Sequence, residues 1–251
     1  MTISVNSRKK QSKKSFVELL EDLQTSNSEK VRYNAARVLG EMGDVNAVEP
    51  LINVLKYDKN GSVRLYAARA LGRLGGEEVV EPLVTALNDE NPQVCITATD
   101  ALIEIGDIAT DALIDSLHNE KINVRCDITR ALGEIGNKKA VPYIIEMLKD
   151  EWVNVRIYAV TSLGKLSDKS SVPALIEVMQ NKSENDLVRA GAAAALGVLR
   201  DQRALLPLRQ LIMEAEELGE LEDTALKSFK KIMAANWQQI PGAMQNKKIT
   251  A

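Results

Sequence analysis

A dipeptide, Val-Arg, returns along this chain at a nearly constant interval: Val31-Arg32, Val63-Arg64, Val124-Arg125, Val155-Arg156 and Val188-Arg189. Val94-Cys95 holds the place of a sixth copy, and successive valines lie 32, 31, 30, 31 and 33 residues apart. A period near 31 residues over most of a 251-residue chain is the mark of a solenoid. No single unit of that length can bury its own apolar face, so each must stack on its neighbours.

Each unit reads as two helices. Behind every Val-Arg runs an alanine-rich helix ending in Leu-Gly, at Leu39-Gly40, Leu71-Gly72, Leu132-Gly133, Leu163-Gly164 and Leu196-Gly197. A turn follows, then a short apolar helix entered through Pro50, Pro82, Pro142, Pro173 or Pro207. Proline is tolerated in a first turn because its missing N–H would have no intrahelical partner there. In the second helix of one unit, Val63, Ala67, Ala70, Leu71 and Leu74 share a core-facing stripe. Beside it lies a stripe of Arg64, Ala68 and Gly72, whose small side chains let the next helix approach closely. A mid-helix glycine costs about 1 kcal/mol against alanine, so glycines recurring at one phase point to tight packing. The expected fold is all-α: a right-handed α-solenoid of six hairpins over residues 15–201. A capping hairpin at 202–240 follows, with a basic tail at 1–14 and a second tail at 241–251 that are expected to be disordered.

Composition narrows the function classes. Aromatic residues are only 4% of the chain, which favours helices packed through small side chains over a sandwich or barrel. The net charge of −3 hides an uneven distribution: Arg8, Lys9, Lys10, Lys13 and Lys14 sit in a tail without acids, leaving −8 for the rest. An acidic body makes nucleic acid an unfavoured partner. Apolar runs are far short of a membrane span, and the opening residues lack the pattern of a secretion signal. Two cysteines, Cys95 and Cys126, are too few for a disulfide framework, so a reducing cytoplasm is the expected location. With His118 the single histidine, no metal site is expected and a Ser-His-Asp set has little to build on.

The stretch "VRYNAARVLGEMGDVNAVEPLINVL" and its relatives, over residues 28–210, resemble the HEAT-like repeats named after phycobilisome (phycobilin) lyases. The resemblance implies helical hairpins that act as scaffolds. It also implies lyases that attach, transfer or detach a bilin on a phycobiliprotein. Under that reading Arg37, Arg69 or Arg130 would hold propionates, Asp100 or Asp127 the pyrrole nitrogens, and the tyrosines would stack, while the attacking thiol belongs to the phycobiliprotein. Iron-dependent hydroxylases on related repeats use paired His-Glu ligands, which a chain with His118 alone does not match.

Two sets of side chains stand out. Arg32, Arg64, Arg125, Arg156 and Arg189 read as a structural ladder, each guanidinium meeting a carbonyl or a carboxylate such as Asp44 or Asp107 on a neighbouring turn. Two residues after each ladder position, and three further on, lies a row whose i, i+3 spacing puts each pair on one outward helix face. Its candidate binding residues are Asn34, Arg37, Tyr66, Arg69, Asp100, Asp127, Arg130, Tyr158 and Thr161. These helices are expected to line the concave surface, where solenoids bind. The function expected is a non-catalytic scaffold holding a partner protein there, with no cofactor; the alternative is the bilin-handling protein, with a phycobiliprotein as partner. His118 reads as a solvated helix end, Cys126 as pointing outward unlike Cys95, and the acids from Glu214 to Asp223 as a solvated face.

One unit departs from the pattern. In "NPQVCITATDALIEIG", residues 91–106, Cys95 replaces the ladder arginine and Ile103 the close-packing glycine, while Ala112 stands in for the next proline. Bulk at position 103 predicts a wider or rotated junction in mid-stack.

Overall fold

A computed structural model describes residues 14–214 and 219–236; the expected tails at 1–14 and 241–251 lie almost wholly outside them. Among the described residues there are fourteen α-helices and no strand. They pair in chain order: α1 Phe16–Thr25 with α2 Glu29–Met42, α3 Val48–Tyr57 with α4 Gly61–Leu74, and α5 Val80–Ala86 with α6 Pro92–Ile105. Then come α7 Thr110–Asp115 with α8 Ile122–Ile135, α9 Val141–Met147 with α10 Val153–Leu166, and α11 Val172–Gln180 with α12 Asp186–Leu199. The seventh pair is α13 Leu205–Glu214 with α14 Glu220–Asn236.

Sequence accounts for the boundaries. Each second helix from α2 to α12 runs 14 residues before a left-handed or glycine cap stops it. In four repeats an Asx side chain then opens a short 3-10 turn. Asp44, Asn137, Asp168 and Asp201 each accept a hydrogen bond from the N–H two residues on, at 2.9–3.0 Å. The prolines fall in the first turn of the following helix.

The core is a ladder between two layers. Leu39, Leu71, Leu102, Leu132, Leu163 and Leu196 project from successive second helices and are fully buried. Opposite them, Leu51, Leu83, Leu113, Ile144, Leu175 and Leu208 do the same from the first helices. Second helices pack directly on one another, whereas successive first helices touch sparsely. Glycine makes the difference: a Cβ built on Gly72 would lie 2.7 Å from the Cβ of Ala101, and one on Gly40 2.7 Å from Ala70. One layer closer-packed than the other bends the stack, so the second helices form its inner, concave side.

The tight succession loosens once. Ile103 occupies the glycine position of α6, and α6 and α8 approach less closely than any other neighbouring second helices. The last hairpin resumes the tight packing, with Gly197 of α12 against Ser228 of α14. No helix among the described residues is long and apolar enough to cross a membrane.

Candidate functional site

The ladder arginines sit in the first turns of the second helices, and the first four, Arg32, Arg64, Arg125 and Arg156, meet the loop that ends the next repeat's first helix. Arg32 donates to both carboxylate oxygens of Asp58 (2.6 and 3.0 Å), Arg64 to those of Asp89 (both 2.7 Å) and Arg125 to those of Asp150 (2.8 and 3.1 Å). Arg156 grips Glu184 in the same bidentate way at 2.8 Å. A second arm of each of these four guanidiniums donates to the backbone carbonyl six residues upstream, at Ser26, Asp58, Asn119 and Asp150. Asp58, Asp89 and Asp150 also accept from the N–H two residues on, at Asn60, Asn91 and Trp152, so one acid joins two repeats and holds the residue that caps the next helix. Burial opposes the ionisation of Asp58, Asp150 and Glu184. The arginine and N–H donors outweigh it, and all three carboxyls lie below their ordinary range.

The partners expected at Asp44 and Asp107 are therefore corrected. Both follow the C-terminal end of a second helix, about 20 Å along the axis from the arginine; Asp44 caps its own turn instead. Arg189 departs as well, donating to the Met179 carbonyl (3.1 Å) and to exposed Asp186 (2.7 Å).

At residues 91–106 both halves of a rung are exchanged together. The Cys95 thiol takes over the carbonyl contact six residues upstream, donating to Asp89 O at 3.2 Å. Asn119 stands where the acid would be and still accepts from Lys121 N–H at 2.9 Å. Neither charge is left stranded, so the skeleton of the rung survives without its ion pair. A cavity of about 770 Å³ opens here between the first turns of α6, α8 and α10. Cys95, Ile96, Cys126, Asp127, Ile157 and Tyr158 are among its lining residues.

Cys126 is thus not an outward residue: it is only 8% exposed and faces the same cavity as Cys95. Its position directly follows the ladder position, and that row reads Tyr33, Leu65, Ile96, Cys126, Ile157 and Ala190. The row is apolar in every repeat, which is the signal by which these side chains could have been found. Burial and the carboxylate of Asp127 push the Cys126 thiol up to about 11; burial and Asp89 raise Cys95 too. Both are protonated near neutrality and are poor nucleophiles.

The concave row divides into neighbourhoods. At the N-terminal end Tyr66 stacks on Tyr33 (centroids 5.1 Å apart, planes 20° apart), and the Arg69 guanidinium lies 5.5 Å from the centre of the Tyr66 ring. Arg37 pairs with Glu41 at 2.7 Å, in reach of Arg73. In the middle, Arg130 reaches across to Asp100 at 3.4 Å. Asp127, half-buried beside them, makes no hydrogen bond or ion pair among the described residues. Burial raises its carboxyl above the usual range; Arg130 opposes that and Asp100 adds to it. Tyr158 is 38% exposed at the cavity wall. Asn34 and Thr161 are spent on carbonyls of their own helices, Lys30 and Ile157, and do not join the cluster. Towards the C-terminal end the row turns small and apolar, through Gly191, Ala194 and Val198. His118 lies exposed, 3.8 Å from Glu146. Of the acids between Glu214 and Asp223, Glu216 and Glu217 lie outside the described residues.

A family model for HEAT repeats matches in five overlapping windows, 16–103, 48–123, 80–156, 110–197 and 152–230. No curated protein matches in sequence. Among solved structures, YibA of Escherichia coli is 22% identical with a TM-score of 0.54, covering 86% of this chain and 81% of that one. An archaeal HEAT-like repeat protein from Thermococcus onnurineus NA1 is 18% identical with a TM-score of 0.53, covering 89% and 98%. The complex of CpcE and CpcF of phycocyanin lyase from Nostoc sp. PCC7120 is 22% identical over 92% of this chain and 100% of that chain, with a TM-score of 0.47. At these identities the likeness is one of fold. The five windows together span residues 16–230, which hold the helical hairpins: the chain belongs to the HEAT-repeat family.

Proposed function

We propose that the concave face of the second helices is a binding surface for a partner protein and that the chain works as a non-catalytic scaffold. The observation that carries this reading is a division of labour along each second helix. Arg32, Arg64 and Arg125, with the leucines and glycines of the stripes, are buried and committed to the stack, while Tyr66, Arg69, Asp127 and Tyr158 keep accessible surface in one row. Tyrosine and arginine dominate binding energy at protein interfaces because they combine a broad apolar body with polar tips. Tyr33 behind Tyr66 and the Arg69 guanidinium over its ring hold that anchor in place before a partner arrives.

A bilin ligand is supported less well. Arg37 and Arg130 are already engaged by Glu41 and Asp100, which leaves Arg69 to meet two propionates.

The test is capture of binding partners from the source cell by the immobilised protein, against a variant carrying Tyr66→Ala, Arg69→Ala, Asp127→Ala and Tyr158→Ala. Circular dichroism should show the variant folded, and the specific partner should be lost. Retention of that partner by a folded variant would refute the surface assignment. Mixing with phycocyanobilin in parallel should leave the pigment's visible band unshifted.

A further inference from the structure

Every rung from Arg32 to Arg156 fills the space between the first turns of neighbouring second helices with a guanidinium and a carboxylate, except the one at Cys95 and Asn119. The cavity at that interruption is lined by Ile96, Ile157 and Tyr158, with Ile96 44% exposed. Asp127 also lines it, a carboxylate partly withdrawn from water and without a donor among the described residues. The cation that acts on it, Arg130, is shared with Asp100. Asp89, the other acid in the lining, is held by Arg64, and Lys121 at the rim donates to the Asn88 carbonyl at 3.0 Å. The cavity therefore has an apolar side at Ile96, Ile157 and Tyr158, the amides of Asn123 and Asn154, and in Asp127 one carboxylate without a donor among the described residues.

We infer that this cavity is the specificity pocket of the scaffold and receives a lysine or arginine, flanked by an apolar residue, from the partner protein's segment in the groove. The inference rests on the binding-surface reading above. The aliphatic stem of such a side chain lies along Ile96, Ile157 and Tyr158, as long cationic side chains do on apolar surface. Its head supplies Asp127 with a charge-assisted hydrogen bond. A volume of about 770 Å³ falls within the range of sites that enclose a ligand group. Charge selects the occupant at the cavity itself: Asp100 is met by Arg130, whereas Asp127 has no donor among the described residues.

The test uses the full chain and fluorescence anisotropy with a labelled octapeptide of alternating lysine and leucine. The control peptide carries glutamate in place of lysine. The lysine peptide should bind and the glutamate peptide should not. Asp127→Asn should weaken binding by about tenfold or more, the loss expected for one hydrogen bond to a charged group. The double change Cys95→Arg with Asn119→Asp rebuilds the missing rung, fills the cavity and should abolish binding. Asp127→Asn keeps the question decidable if the double variant does not fold. Equal binding of both peptides, unchanged affinity in a folded rung-restored protein, or free cadaverine competing as tightly as the peptide each overturns the inference. If the rung-restored protein still captures the cellular partner while the Tyr66, Arg69, Asp127 and Tyr158 variant does not, the pocket assignment fails and the binding surface stands. If both capture it, both readings fail.

Discussion

Arg125 and Asp150 are joined by two nitrogen–oxygen contacts, and their side chains are 10% and 8% exposed. Removing one partner leaves the other as a charge withdrawn from water, which costs far more than the pair itself contributes. Arg125→Ala should therefore lower unfolding stability by about 3–5 kcal/mol in chemical denaturation. Arg37→Ala, which breaks a pair on the open surface, should change it by less than about 1 kcal/mol. A shared baseline for both variants would refute the ladder's role. The same carboxylates fix the acid response. Asp58, Asp150 and Glu184 have folded pKa values depressed below their unfolded ones, so their stabilisation is complete above the unfolded values, near 4. It is lost as pH falls through the folded values, so melting temperature should drop steeply below about pH 4. The arginines were legible in the sequence because they keep helical phase. Their acids were not, because the offsets from arginine to carboxylate are 26, 25, 25 and 28 residues and follow loop length, not a fixed period.

Between elements, the deciding distance is that from a glycine to the helix facing it. A Cβ on Gly72 would come within 2.9 Å of the Ala101 backbone, while one on Gly164 would lie 3.3 Å from the Ala195 side chain. Alanine gains about 1 kcal/mol of helix propensity at either site. At Gly72 overpacking against rigid backbone outweighs that gain, and Gly72→Ala should destabilise by about 1–3 kcal/mol. At Gly164 a shift of a few tenths of an ångström relieves the contact, so Gly164→Ala should be nearly neutral. Thermal melts of the two variants decide it, and equal melting temperatures would show that glycine phase alone does not report packing. That phase could be read from the chain, as could Ile103 as the place where it lapses. The cavity could not. It needs two side chains from different repeats to be absent at once, and Asn119 preserves the hydrogen bond that its acid counterparts make.

At the scale of the whole stack, stability is a sum of repeats and the couplings between neighbours, so the weakest coupling decides where cooperativity breaks. The junction of α6 with α8 lacks the ion pair, lacks the glycine and holds the cavity, all within one repeat boundary. On its two sides the rungs Arg64–Asp89 and Arg125–Asp150 are intact. Mild denaturant should therefore separate the stack into two cooperative blocks, one ending at α6 and one beginning at α8. The sequence supplies the probe: both tryptophans, Trp152 and Trp237, follow the junction in the chain, and Trp152 caps α10 in the C-terminal block. In a Trp237→Phe background, fluorescence of Trp152 follows that block alone, while far-ultraviolet circular dichroism follows helix in both. Urea titrations should give midpoints that differ between the two signals. Cys95→Arg with Asn119→Asp adds a rung across the boundary and should bring the midpoints together. Coincident midpoints in the unaltered protein would mean that the buried leucine ladder couples the repeats strongly enough for one missing rung not to matter. The interrupted junction would then be a local adaptation of the binding face and not a hinge between blocks.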